Sequence, residues 1–134
     1  MKLKKVVSMG ALILSSSAAM AGYVASIGVT IEFSDSGGGH AYGSMSGARF
    51  SDDENEAIGC GVRRYGGNNP HIYGFCNAIA PSGTPQVSCY TENPDLIESL
   101  ATLSDYSFIT FAWNADGECM SIGVSTQSQY IPAI

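Results

Sequence analysis

The chain has 134 residues, 45% of them hydrophobic and 13% charged, with a formal net charge of −6. That length allows one domain with a core of its own, and the composition is that of a folded chain rather than a charged, disordered one. Six lysines and arginines stand against twelve carboxylates, which argues against a nucleic-acid or anionic-lipid surface, where clustered cations must neutralise phosphates.

The first 21 residues read as a secretory leader. "MKLKK" is a short positive segment, "VVSMGALIL" an apolar run, and "SSSAAMA" a small-residue stretch ending Ala19-Met20-Ala21. The run is too short to span a bilayer, which needs about 20 residues. Cleavage is expected before Gly22. No cysteine stands at that point, so no membrane anchor is expected after processing. The leader is of bacterial type, which places the protein in the periplasm or outside the cell. Residues 22–134 then form a single disulfide-stapled, β-rich domain. It keeps Arg49, Arg63 and Arg64 against all twelve carboxylates, a charge of −9, and has no lysine. Such a surface suits solubility or a basic partner.

Ser26–Phe33 alternates, with Ile27, Val29, Ile31 and Phe33 on one side, the period-2 mark of a half-buried strand. "SDSGGG" (Ser34–Gly39) ends it in a turn. "HAYGSMSGARF" reads as a weaker strand with a bulge, and Ser51–Glu56 as a solvated acidic turn or a single helical turn, because Ser51 and Glu54 have capping-box spacing. "AIGCGVRRY" is a strand, "GGNNP" a turn and "HIYGFCNAIA" the returning strand. "PSGTP" turns again into "QVSCYT". Asn93–Leu103 is the one helix expected. Asn93 caps it, Pro94 takes the first position, and Leu96, Ile97, Leu100 and Leu103 form one stripe. "YSFITFAW" and "CMSIGVST" form a last hairpin about Asn114–Gly117, with Ile109 opposite Ile122 and Phe111 opposite Met120. The fold class expected is α+β and mostly antiparallel: about seven strands in a curled sheet or small barrel, with one helix and two disulfides.

Four cysteines in a small exported chain are expected to pair. If the strands flanking Gly66–Pro70 form a hairpin centred near Asn68, Cys60 faces Cys76. About Ser82-Gly83, Cys76 equally faces Cys89. The preferred pairing is Cys60–Cys76 with Cys89–Cys119, and Cys76–Cys89 with Cys60–Cys119 is its rival. The gaps between cysteines contain none of the closely spaced ligand pairs of zinc sites, so no metal and no cofactor are expected.

Candidate functional residues fall into three groups. His71 or His40, with Arg63 and Arg64, offers the parts of a small hydrolase: a base and an anion clamp. Nothing local positions either histidine, so enzymatic activity is not the preferred reading. Asp52, Asp53 and Glu54 form an acidic turn. They lack the spacing of a calcium loop, but they suit contact with a basic protein. Tyr65, Tyr73 and Phe75 share the strand face opposite Cys76. The expectation is that this face packs beneath the helix as half of the core. The alternative is an exposed aromatic patch that binds glycan or another protein. Three functions follow, in order: a non-catalytic exported binding or assembly module, an acidic periplasmic inhibitor or immunity factor against a basic enzyme, and a small secreted hydrolase.

Overall fold

A computed structural model describes residues 22–133; the leader expected over residues 1–21 lies outside them. Seven strands form two antiparallel sheets. Strands β1 (Thr30–Phe33), β2 (Gly39–Ser44), β6 (Phe108–Trp113) and β7 (Cys119–Ser125) make a four-stranded sheet in the order β1-β2-β6-β7. Strands β3 (Ala57–Tyr65), β4 (His71–Ile79) and β5 (Gln86–Thr91) make a three-stranded meander. The α+β, antiparallel expectation therefore holds, but the strands do not close into a barrel.

Each sheet turns one face to a shared core, as its alternation requires. The larger sheet contributes Ala41, Ile109, Phe111 and Ile122, which lie in cross-strand register on one side. The meander contributes Ile58, Cys76, Ala78 and Cys89. Helix α2 (Pro94–Ser99), continued by a 3₁₀ turn over Leu100–Thr102, closes the core from the side. The Asn93 side chain accepts from the Asp95 N–H at 2.9 Å, satisfying one of the amides that a helix start leaves unpaired.

The helix packs on the cysteine face of the meander. A Cβ placed on Gly74 would lie 3.1 Å from Leu100 Cδ1 and 3.4 Å from Ile97 Cγ1. The missing side chain is what lets the helix approach there. This overturns the expectation that the helix covers Tyr65, Tyr73 and Phe75: those rings occupy the opposite face.

Three local assignments also differ from expectation. The segment read as a strand through Phe50 leaves the sheet after Ser44 and enters a short helix, α1 (Met45–Arg49). Ser44 is the reason. Its fully buried hydroxyl accepts from the Gly47 N–H at 2.9 Å and also meets both the N–H and the C=O of Ile27 at 3.2 Å. The Ser44 N–H also donates to the Ile27 carbonyl at 3.0 Å, so residue 27 stays beside the end of β2 although β1 begins only at Thr30. In the last hairpin, Ile109 pairs with Val124 and Phe111 with Ile122, two residues from the expected register. The loop has three residues rather than two. The Asn114 N–H donates to the Glu118 carbonyl, and Gly117 takes a φ of +78°. A bulge then leaves Met120 unpaired between Cys119 and Ser121.

Both disulfides follow the preferred pairing, Cys60–Cys76 and Cys89–Cys119. Cys76 is in register with Cys60 on one side and Cys89 on the other. The Cys60–Cys76 Cα separation of 4.0 Å marks the closer, non-hydrogen-bonded kind of pair. Cys89 bonds instead across the molecule, tying the meander to the start of β7. No helix among the described residues is long and apolar enough to cross a membrane.

Candidate functional site: an aromatic sheet face and its adjoining cleft

The β3–β4 hairpin runs past the core, and Val62–Tyr65 are exposed along its far end. Its register places Arg63 opposite Tyr73 and Tyr65 opposite His71, while β5 sets Tyr90 opposite Phe75. All five aromatic side chains therefore project from the face that the helix leaves uncovered. Tyr65 stacks on His71 with ring centroids 4.7 Å apart. Tyr73 lies 6.1 Å from Tyr65, 6.1 Å from Tyr90 and 6.2 Å from Phe75. The Arg63 guanidinium sits 5.3 Å from the centre of the Phe75 ring. Phe75 in turn lies across Gly61, where a Cβ would come within 2.8 Å of its Cζ. The glycine gives the ring a seat on the strand.

These rings remain in contact with solvent: Tyr65 is 46% exposed and Tyr90 58%, with Tyr73 and Phe75 half-buried among them. The Tyr65 hydroxyl beside it, together with partial burial, holds the Tyr73 phenol above its ordinary pKa. Tyr73 is thus a neutral ring with a polar tip throughout the physiological range.

At its β5 edge the face runs into a cleft of about 710 Å³, within the size range of ligand pockets. His71, Tyr73, Tyr90, Glu92, Glu118 and Met120 line it, and no lysine or arginine does. Its two sides are fixed to each other. The Tyr90 N–H donates to the Gly117 carbonyl at 3.0 Å, Tyr90 and Glu118 form a parallel bridge, and the Cys89–Cys119 disulfide stands directly beside them. Glu92 is flanked by the buried Thr91, whose hydroxyl accepts from the Asn93 N–H at 3.0 Å.

The other sequence candidates lie apart. His40 is on β2 of the other sheet, paired with Glu32 at 2.9 Å, and so cannot share a site with the hairpin arginines through its own sheet face. Besides its stacking on Tyr65, the His71 ring meets the Asn69 carbonyl at 3.2 Å, and Arg64 projects from the opposite face to Arg63. Among the described residues no carboxylate pairs with His71, Arg63 or Arg64. The acidic turn divides by role. Asp52 and Glu54 are exposed, whereas Asp53 is a tether: Oδ1 accepts from the Asn55 and Glu56 N–H groups, and Oδ2 from the Ser82 N–H at 2.7 Å. Glu56 accepts from the Val29 N–H. The turn read as solvated is thus pinned to the segment that leads into β1 and to the β4–β5 turn. No group of three His, Cys, Asp or Glu side chains among the described residues is placed to hold a metal ion.

No sequence signal marks Glu92, Glu118 or Met120 as site residues. Tyr90 was within reach, since it follows Cys89 and so must face away from the cysteines, as Tyr73 and Phe75 do. Glu118 and Met120 reach the cleft only through a bridge that joins segments distant in sequence, and no local pattern signals that. No family model, curated protein or solved structure matches the chain.

Proposed function

We propose that the protein is an exported, non-catalytic binding module whose contact surface is the aromatic face of the β3–β4–β5 meander. The observation that carries this reading is the run of neighbouring, solvent-accessible rings on the outer face of the meander, which the helix leaves uncovered. Rings with polar tips give large contact area at small entropic cost, which is why tyrosine is enriched where proteins meet partners. The leader-like first 21 residues and the two disulfides support export to an oxidising compartment. The test compares the protein with a Tyr65→Ser/Tyr73→Ser/Tyr90→Ser variant as immobilised bait for solubilised cell-envelope material. A component held by the former and lost by the latter, with thermal unfolding changed by no more than a few degrees, is the expected result. Equal retention by both excludes the face.

A second reading, an acidic inhibitor or immunity factor directed at a basic enzyme, is favoured by the excess of twelve carboxylates over three arginines after residue 21. It is compatible with the same face. Asp52 and Glu54 are the acidic-turn residues free to serve it, because Asp53 is engaged by backbone amides. No comparable observation favours the hydrolase reading.

A further inference from the structure

We propose that the cleft beside the aromatic face receives a cationic side chain, a lysine or arginine presented by a basic partner protein. The inference rests on the binding-module reading and names the chemistry of what that module takes. Tyr73 and Tyr90 supply ring surface, their centroids 6.1 Å apart and their planes at 56°. Glu92 and Glu118 supply the only full charges in the lining. Arg63 stands beyond the tyrosine wall, held over Phe75. Among the described residues neither glutamate has a salt-bridge partner. Glu118 accepts a hydrogen bond from the Asn114 carboxamide at 3.2 Å, and its backbone is held by Asn114 on both the N–H and the C=O.

A cation entering this space meets ring faces and carboxylates together, the two features that attract ammonium and guanidinium groups. A phosphate or carboxylate would meet repulsion. The apolar rim fits a long aliphatic stem: Met120 is 60% exposed here, and Leu96 also lines the cleft. Lysine and arginine lay such stems on apolar surface while their heads reach polar groups. The site is also built in advance. The disulfide, the parallel bridge and the Asn114 contacts hold Tyr90 and Glu118 in place before anything binds, which lowers the ordering cost of binding. The net charge has the same sign, so a basic partner is drawn to the molecule as a whole.

The experiment is an amide-resolved NMR titration of the oxidised protein at about pH 8, above the ordinary histidine range. The probe is the blocked tripeptide acetyl-Gly-Lys-Gly-amide. Its Nε-acetylated form serves as a neutral control of nearly the same shape. The expected result is saturable shifts at Tyr73, Tyr90, Glu92, Glu118 and Met120 with the first peptide and none with the second. Affinity should fall about two- to fivefold in each of Glu92→Gln and Glu118→Gln, whose spectra also report that the fold is intact. Raising salt from about 20 to 500 mM should weaken binding further. Equal shifts with the acetylated peptide, or shifts confined to residues outside the cleft, overturn the proposal. So does a chito-oligosaccharide, titrated in parallel, that occupies the cleft when the lysine peptide does not. Shifts that depend on protein concentration alone point to a second copy and overturn it as well. If the peptide fails while a single Tyr65→Ser change, outside the cleft, still abolishes retention of the envelope component, the binding-module reading stands and only the cationic ligand is lost.

Discussion

Asp53 stands between two other acids in the sequence, and nothing in that context separates it from Asp52 or Glu54. The fold does: three backbone N–H groups converge on its carboxylate, one of them from Ser82 across the molecule. Those donors favour the charged form, with the Ser82 amide the largest contributor, so the group titrates below the ordinary carboxylate range. A depressed folded-state pKa means that the stabilisation is complete above the unfolded-state value, about pH 4, and disappears as pH falls through the lower folded value. Asp53→Ala is therefore expected to lower the melting temperature by several degrees at pH 7. The gap to wild type should narrow as the pH falls below the ordinary carboxylate value, about pH 4. Thermal scans across pH check this, and a gap of constant size from pH 7 to pH 2.5 would mean that the ionised carboxylate is not what stabilises the turn. Asp52→Ala is the control and should change little at any pH.

At the scale of elements, what could be read was what repeats. Period-2 alternation placed the strands, and Asn93-Pro94 before an apolar stripe placed the start of the helix, although the α-helix ends at Ser99 and a 3₁₀ turn replaces the rest of the expected span through Thr102. The hairpin arithmetic found Cys60 opposite Cys76 because the loop between them is symmetric about Asn68. Helix α1 escaped for a physical reason. Five residues give too little sequence for a 3.6 period, and its cap, Ser44, matters through a contact with Ile27 that no local window contains. The β6–β7 register slipped by two because a three-residue loop and a bulge each added one. An even slip keeps every side chain on its face, so Phe111 and Ile122 were still core residues, although their partners were misassigned. The helix was assigned to the wrong face of the meander, yet Gly74 lies on the cysteine face and held the clue. Gly74→Val should force the helix off β4 and cost about 1–3 kcal/mol by overpacking. Gly59→Val, on the other face with only Asn77 Oδ1 at 3.9 Å from a new Cβ, should be nearly neutral. Denaturant midpoints of the two variants decide the matter, and equal destabilisation would remove Gly74 as the helix contact.

At the scale of the molecule, two sheets share one core, and one disulfide, Cys89–Cys119, with a sequence separation of 30, cross-links them. Cys60–Cys76 closes a shorter span of 16 inside a hairpin whose strands are already paired. Chain entropy alone makes the two bridges nearly equal, about 3 to 4 kcal/mol each. Their structural consequences are not equal. Replacing Cys89 and Cys119 by serine should cost stability of that order and also loosen Tyr90 from Glu118. Replacing Cys60 and Cys76 should cost stability while leaving the cleft in shape. Calorimetry together with amide spectra of the two double variants separates these effects. Unchanged Tyr90 and Glu118 resonances after loss of Cys89–Cys119 would show that the hydrogen-bonded bridge suffices without sulfur.

The Cys60–Cys76 bond stands inside the point where the β3–β4 hairpin leaves the core: Gly74 is still buried beneath the helix, and beyond the Val62–Gly74 pair the strands are exposed or half-buried. The solvent-exposed turn end of this hairpin has the least packing to lose on opening, and the disulfide is the stop on the zip. Opening that begins at Gly66–Pro70 can run back past Tyr65 and His71 until it meets the Gly74 contact with the helix, with Cys60–Cys76 as the covalent limit behind it, so the outermost stacked rings can part and re-form without drawing the buried strands with them. The tip is thereby uncoupled from the body. A partner that grips Tyr65 and His71 has only a few residues to order, and substitutions out there can retune the contact while the stability of the core stays where it was.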